Sequence, residues 1–126
     1  MASVTAIIPT KNEEKNLADC LNSLKGFVER AVVVDCGSTD RTVEIAQACG
    51  AEVVFHEFQY SAAQFNWAFD NVGITTDWIM RFDADERMTP ALIAETEAIL
   101  NSDEALHGDV NGITMEATFY FLGRPI

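Results

Sequence analysis

Three carboxylates, Asp83, Asp85 and Glu86, follow at once on the mostly apolar run Trp78-Ile79-Met80-Arg81-Phe82. Carboxylates resist burial unless they are paired or bound to metal. The apolar segment must therefore end near Phe82 or Asp83, with the acids in a crevice or in water. In an extended chain Asp83 and Asp85 share a face. Two hard oxygen ligands converging on one point suit Mg2+ or Mn2+. An acid-x-acid pair is by itself equally compatible with a solvated turn, so the rest of the chain has to decide between the two.

Two more polar clusters stand where apolar runs end: Thr10 to Glu13 and Asp35 to Ser38. The elements that would position them read as follows. Val4–Ile8 is a β-branched strand closed by Pro9. Leu17, Cys20, Leu21 and Leu24 recur at helical spacing, and Gly26 stops that helix. Ala31–Val34 is a nearly continuous apolar strand ending in Asp35, as a parallel strand covered on both faces requires. Ser38 or Asp40 can cap the next helix, whose apolar side is Val43, Ile45, Ala46 and Cys49 and whose stop is Gly50. Glu52–Phe55 is a short strand nearer an edge. Ser61 to Gln64 is a capping box opening a helix with Phe65, Ala68, Phe69 and Val72 on one face. Trp78–Phe82 is the fourth strand. Thr89 and Pro90 start a helix patterned by Leu92, Ile93, Thr96, Ile99 and Leu100. A polar connector over 101–111 leads to one further strand, Gly112–Phe121.

Strand and helix thus alternate four times. The expectation is one α/β domain, a three-layer sandwich with a mainly parallel sheet and right-handed crossovers. Ligands in such sheets bind outside the carboxyl ends of the strands, where all three polar clusters fall. Carboxylates there suit ribose hydroxyls and a base N–H, and a metal on Asp85 would bridge a diphosphate.

Composition narrows the partners. The 126 residues suffice for one core, and 20 acids against 8 bases leave a net charge of −12. That charge excludes a nucleic-acid surface and disfavours binding phosphate without a cation or helix N-termini. No glycine-rich loop follows the first strand, which argues against dinucleotide dehydrogenases, P-loop NTPases and sugar nucleotidyltransferases. The cysteines Cys20, Cys36 and Cys49 match no zinc spacing and point to a reducing compartment. No signal peptide and no apolar run of the ~20 residues of a membrane span is visible.

Four stretches together resemble the family 2 glycosyltransferases of GT-A fold, in particular those adding sugars to bacterial lipopolysaccharide core or capsule. They are Ile7-Ile8-Pro9-Thr10-Lys11-Asn12-Glu13-Glu14-Lys15-Asn16-Leu17, Val34 to Thr42 (VDCGSTDRT), Ala63-Gln64-Phe65-Asn66, and Phe82-Asp83-Ala84-Asp85-Glu86. The resemblance implies a cytoplasmic, inverting enzyme of cell-envelope polysaccharide synthesis, in peripheral contact with the inner face of the membrane. It implies a nucleotide-sugar donor, UDP-linked by preference, and a glycan or lipid-linked acceptor. Pro9, Thr10 and Glu13 would line the base pocket and Asp35 would contact base or ribose. Gln64 would belong to the donor site. Asp83 and Ala84 would hold ribose or sugar, and Asp85 would ligate Mn2+ or Mg2+ as the metal of a DxD motif. The chain departs from the pattern at Cys36, where many members have a second acid, and around Phe65, where a basic residue is common.

Because family members run well past this length, residues 1–126 are expected to be the nucleotide-binding part, without the acceptor-binding part and its catalytic base. The aromatic run Phe119–Phe121 is then expected to seek cover by self-association. The competing readings are a noncatalytic nucleotide-binding or interaction module and a receiver-like signalling domain. The latter needs an acid pair after the first strand, where Thr10-Lys11-Asn12 stands, and a lysine at the end of the fifth strand.

Overall fold

The computed structural model describes residues 3–57, 67–68, 70–101, 112–114 and 118–121. In chain order the elements are β1 (Val4–Thr10), α1 (Leu17–Leu24), β2 (Arg30–Asp35), α2 (Thr42–Ala48), β3 (Glu52–Phe55), β4 (Trp78–Arg81), α3 (Pro90–Leu100), β5 (Gly112–Thr114) and β6 (Thr118–Phe121). Further helical backbone lies at 67–68 and 70–71. One sheet runs in the order β3-β2-β1-β4-β6-β5. The first four strands are parallel, and β6 pairs antiparallel with both β4 and β5.

Alternation along the strands divides the core into two apolar layers. Val4, Ala6 and Ile8 of β1 face the same side as Trp78 and Met80 of β4, and pack with Leu17, Leu24, Ala46 and Leu100 from the helices. Ile7, Val32, Val34 and Ile79 face the other side, with Ala68, Trp67 and Val72 over them. The parallel part of the sheet is therefore covered on both faces, and the expected three-layer α/β architecture is found. At the amino end of β2, Arg30 forks onto Glu52 and donates to the carbonyls of Val72 and Gly73 at 2.7 and 3.0 Å. This one side chain ties β2, β3 and the segment leading to β4.

Two element boundaries differ from the reading of the sequence. β1 does not stop at Ile8 but continues through Pro9 to Thr10. The register explains how a proline fits a central strand. The carbonyl of Ile7 accepts from Phe82 N on the β4 side, and that of Thr10 accepts from Cys36 N on the β2 side, both at 3.1 Å. Pro9 shares the orientation of Ile7, so its missing donor points toward β4, where pairing ends at Ile7↔Arg81. Pro9 thus leaves the β1–β2 ladder whole and lets the chain after Phe82 turn away.

The second difference is the stretch Gly112–Phe121, which is not one strand but two, paired from Thr114↔Thr118 to Gly112↔Tyr120. The residues between are too few for a crossover, so the strands can only be antiparallel. Phe119–Phe121, expected to seek cover through self-association, belongs by pairing to an interior strand. The edge position of β3 is found. The capping box at Ser61–Gln64 and the connector over 102–111 lie outside the described residues.

Leu17 opens α1 with no exposed surface. Leu17→Ala should lower stability by ~2–5 kcal/mol, since both burial and packing are lost. The check is urea denaturation, in which the midpoint falls while the slope is kept.

Candidate functional site

The carboxyl ends of β2, β1 and β4 lie side by side, and the most constrained group there is Asp35. Its residue is 1% exposed. Oδ1 accepts from Thr10 Oγ1 at 2.9 Å and Ser38 Oγ at 2.5 Å, and Oδ2 accepts from the N–H of Gly37 at 3.1 Å and of Ser38 at 2.9 Å. All four acceptor positions of the carboxylate are used. Burial alone would push this carboxyl up, but the bonds from Ser38, Thr10 and Gly37 outweigh it and hold the group below its ordinary value. Gly37 reaches its position with φ +101°, a conformation that a side chain would strain. A ligand N–H would reach Asp35 only in exchange for one of these four donors.

The loops after β1 and β2 are clasped to each other. Asn12, in the left-handed region at φ 54°, donates its N–H to Ser38 Oγ at 2.8 Å and accepts from Thr39 N at 2.8 Å. Glu13 N donates to Thr42 Oγ1 at 2.8 Å, and Glu14 N to Asp40 Oδ2 at 3.3 Å. Asp40 also accepts from the N–H and hydroxyl of Thr42, the first residue of α2, so it is a bonded acid rather than a free one, although the N-cap position itself is Arg41. The Cys36 thiol donates to the Thr10 carbonyl at 2.9 Å. Burial and the Asp35 charge push that thiol up, which keeps it a protonated donor. An ionised acid at this position could not make that bond.

The acid cluster after β4 is a turn, not an extended segment, so the shared-face argument for Asp83 and Asp85 does not apply. Glu86 N donates to the Asp83 carbonyl and Asp83 N donates to Glu86 Oε1, each at 2.9 Å. Ala84 and Met88 are buried, at 3% and 4% exposure, while Asp83 and Asp85 are exposed. Helix α1 holds the turn: the Cys20 thiol lies 3.7 Å from the Asp83 carbonyl, and Ser23 Oγ accepts from Met88 N at 3.0 Å. Arg87 Nη1 donates to the carbonyls of Ala84 and Glu86 at 3.3 and 2.9 Å.

The structure therefore places Pro9, Thr10, Glu13 and Asp35 on one pair of clasped loops, and Asp83, Ala84 and Asp85 on a separate pinned turn across β1. Gln64 lies outside the described residues. Glu13 is half-buried, with its carboxylate accepting from Asn16 Nδ2 at 3.3 Å. Ala84 contributes an anchor, not a polar contact. Reading the sequence put Asn12 and Thr42 inside its motif stretches without giving either a role, and singled out neither Cys20 nor Arg87 as part of this arrangement. Asn12 carries a weak signal, since asparagine tolerates left-handed turns. Arg87 has none, because its partners there are backbone carbonyls.

Among the described residues no group of three or more His, Cys, Asp and Glu converges on one point. The donor set present is a pair of exposed carboxylates, Asp83 and Asp85, with no hydrogen bond to a described residue. It fits a hard divalent ion that keeps its waters and takes substrate oxygens. The hollow lined by Leu21, Val28, Cys49 and Ala51 lies at the other end of the strands.

Comparison with known proteins gives consistent matches. The model of "Glycosyl transferase family 2" matches residues 5–125. A glycosyltransferase of Rickettsia felis is 38% identical over 102 residues, covering 81% of this chain and 35% of that protein. A low-salt glycan biosynthesis hexosyltransferase of Haloferax volcanii is 35% identical over 136 residues, covering 98% of this chain and 32% of its own length. The chain thus spans about a third of the length of the curated relatives it matches. Among solved structures, glucosyl-3-phosphoglycerate synthase of Mycobacterium tuberculosis, crystallised with Mn2+ and UDP, superposes with a TM-score of 0.62 at 23% identity, covering 81% of this chain and 41% of that one. Mannosyl-3-phosphoglycerate synthase of Rubrobacter xylanophilus gives 0.66 at 20% identity, covering 81% and 37%. These structures share the fold.

Asp35 generates a pH prediction. A carboxyl held below its ordinary value of 3.8 contributes stability that is present above that value and lost as pH falls through the lower folded one. Asp35→Ala, which leaves four donors without their acceptor, should cost ~2 kcal/mol or more at neutral pH. It should also flatten the acid limb of stability against pH. Denaturation from pH 7 to pH 2 measures both, and an acid limb as steep in the variant as in the wild type would refute the assignment.

Proposed function

The chain belongs to glycosyl transferase family 2, and we propose that it forms the donor-binding part of a metal-dependent enzyme moving a sugar from a nucleoside diphosphate to a glycan or lipid-linked acceptor. The observation that carries this reading is the exposed pair Asp83 and Asp85 on a turn fixed beside the β1 and β2 loops. In a chain with net charge −12, a diphosphate is repelled unless a cation offsets the field. Asp85 holds that cation, Mn2+ or Mg2+, with Asp83 next to it at the ribose or sugar. When bound, the metal stabilises the charge developing on the leaving diphosphate. Pro9, Thr10 and Glu13 line the base pocket. Asp35 serves it chiefly by fixing Thr10 and Ser38, and Gln64 belongs to the same donor site.

UDP is the preferred nucleotide on two grounds: the resemblance to envelope-sugar transferases and the UDP crystallised with a protein sharing the fold. The hexosyltransferase among the relatives, named for glycan biosynthesis, supports a glycan acceptor. In an inverting transfer a base must take the acceptor hydroxyl's proton, and we assign that base to none of these residues. The cytoplasmic face of the membrane suits the three free cysteines. Among the described residues no helix is long and apolar enough to cross a membrane.

Calorimetric titration with UDP tests the reading. Heat should appear with Mn2+ or Mg2+ and vanish in EDTA, and equal binding in EDTA would overturn the metal's role. Asp85→Ala should abolish the metal-dependent component with Tm unchanged or slightly raised, because Asp85 is exposed and removing it lowers like-charge repulsion. Full retention of UDP affinity in that variant would sink the assignment of Asp85.

A further inference from the structure

We infer that Arg87 is the positioning residue of the metal-bearing turn, acting through backbone carbonyls so that Asp83 and Asp85 stand ready for the cation. This rests on the reading of those two acids proposed above. The guanidinium lies over the turn. Nη1 donates to the carbonyls of Ala84 and Glu86 at 3.3 and 2.9 Å, and Nη2 reaches Asn16 Oδ1 at 3.5 Å and Asp19 Oδ2 at 3.9 Å. One planar group thus ties the residues flanking Asp85 to the first turn of α1. Arginine suits the task because its donors are held in a rigid fork, whereas a lysine ammonium is a point charge on a flexible stem.

The anchors on either side leave few other ways to hold the turn. Ala84 and Met88 are buried, Cys20 meets the Asp83 carbonyl, and Ser23 meets Met88 N. Between these points Arg87 supplies side-chain donors to the carbonyls of Ala84 and Glu86. Its positive charge faces Asp19 and carbonyl dipoles. The side chain is 34% exposed, so its removal opens no core cavity.

Groups that orient metal ligands from behind typically change metal affinity 10–100-fold when removed. Arg87→Ala should therefore weaken Mn2+-dependent UDP binding about 10-fold while leaving Tm near the wild-type value. Hydrogen exchange at the Asp83 and Glu86 amides should quicken by a similar factor. Arg87→Lys should recover part of both, and Lys25→Ala, which removes a distant exposed charge, should change neither. Unchanged exchange at the two amides in Arg87→Ala, or faster exchange with undiminished Mn2+-dependent binding, would overturn this inference alone. Absence of Mn2+-dependent binding in the wild type would overturn the functional reading and the inference with it.

Discussion

A buried carboxylate must be supplied with donors, and Asp35 sets the terms for everything around it. Leaving such a charge unpaired in a core costs several kcal/mol. Its four donors come from the end of β1 and from the turn that follows β2. Satisfying Asp35 therefore fixes the spacing between two strand ends, forces the left-handed glycine at position 37, and brings Ser38 to where Asn12 can bond to it. The clasp between the two loops follows from this single requirement. Local rigidity at the candidate site is a by-product of solving an electrostatic problem.

The position of β1 extends that constraint to the other acids. It lies between β2 and β4, and its Pro9 directs a missing donor to the side on which β4 has ended. The ladder to β2 continues to Asp35 while the chain beyond Phe82 is released into its turn. The carboxyl end of the sheet then offers a buried, saturated carboxylate at β2 and a pair of exposed ones after β4, on either side of β1. The two kinds of acid serve different ends: the buried one builds the frame, and the exposed ones remain available for a cation. Helix α1 unites both halves, since its first residues follow the clasped loop and its middle residues hold the acid turn.

The chemistry follows from the charge balance. Against a net charge of −12, the few basic side chains near these strand ends, Lys11 after β1 and Arg87 in the turn after β4, do not by themselves offset a diphosphate. Hard carboxylate donors with a divalent ion are the solution proposed above, in a chain that belongs to glycosyl transferase family 2.

The sequence by itself determined the alternation of strands and helices, the covered parallel sheet, the Thr89 cap with its following proline, and the gathering of Thr10, Asp35, Asp83 and Asp85 at strand ends. These were legible because apolar periodicity and β-branched runs are local signals that carry over directly into buried faces. The cap is one such case: Thr89 Oγ1 accepts from Leu92 N at 3.1 Å. Only the tertiary structure decided that Asp35 is saturated while Asp83 and Asp85 are open, because the turn after β2 folds Gly37 and Ser38 back onto Asp35 and the sheet brings Thr10 beside it. It also decided that the acid-x-acid segment turns, that Gly112–Phe121 splits into a pair of strands, and that Asn12 and Arg87 matter. Backbone carbonyls and strand registers carry no side-chain signature. A residue whose partner is main chain, whether that of its own turn as for Arg87 or of another segment as for Asn12, therefore cannot be found until the chain has folded around it.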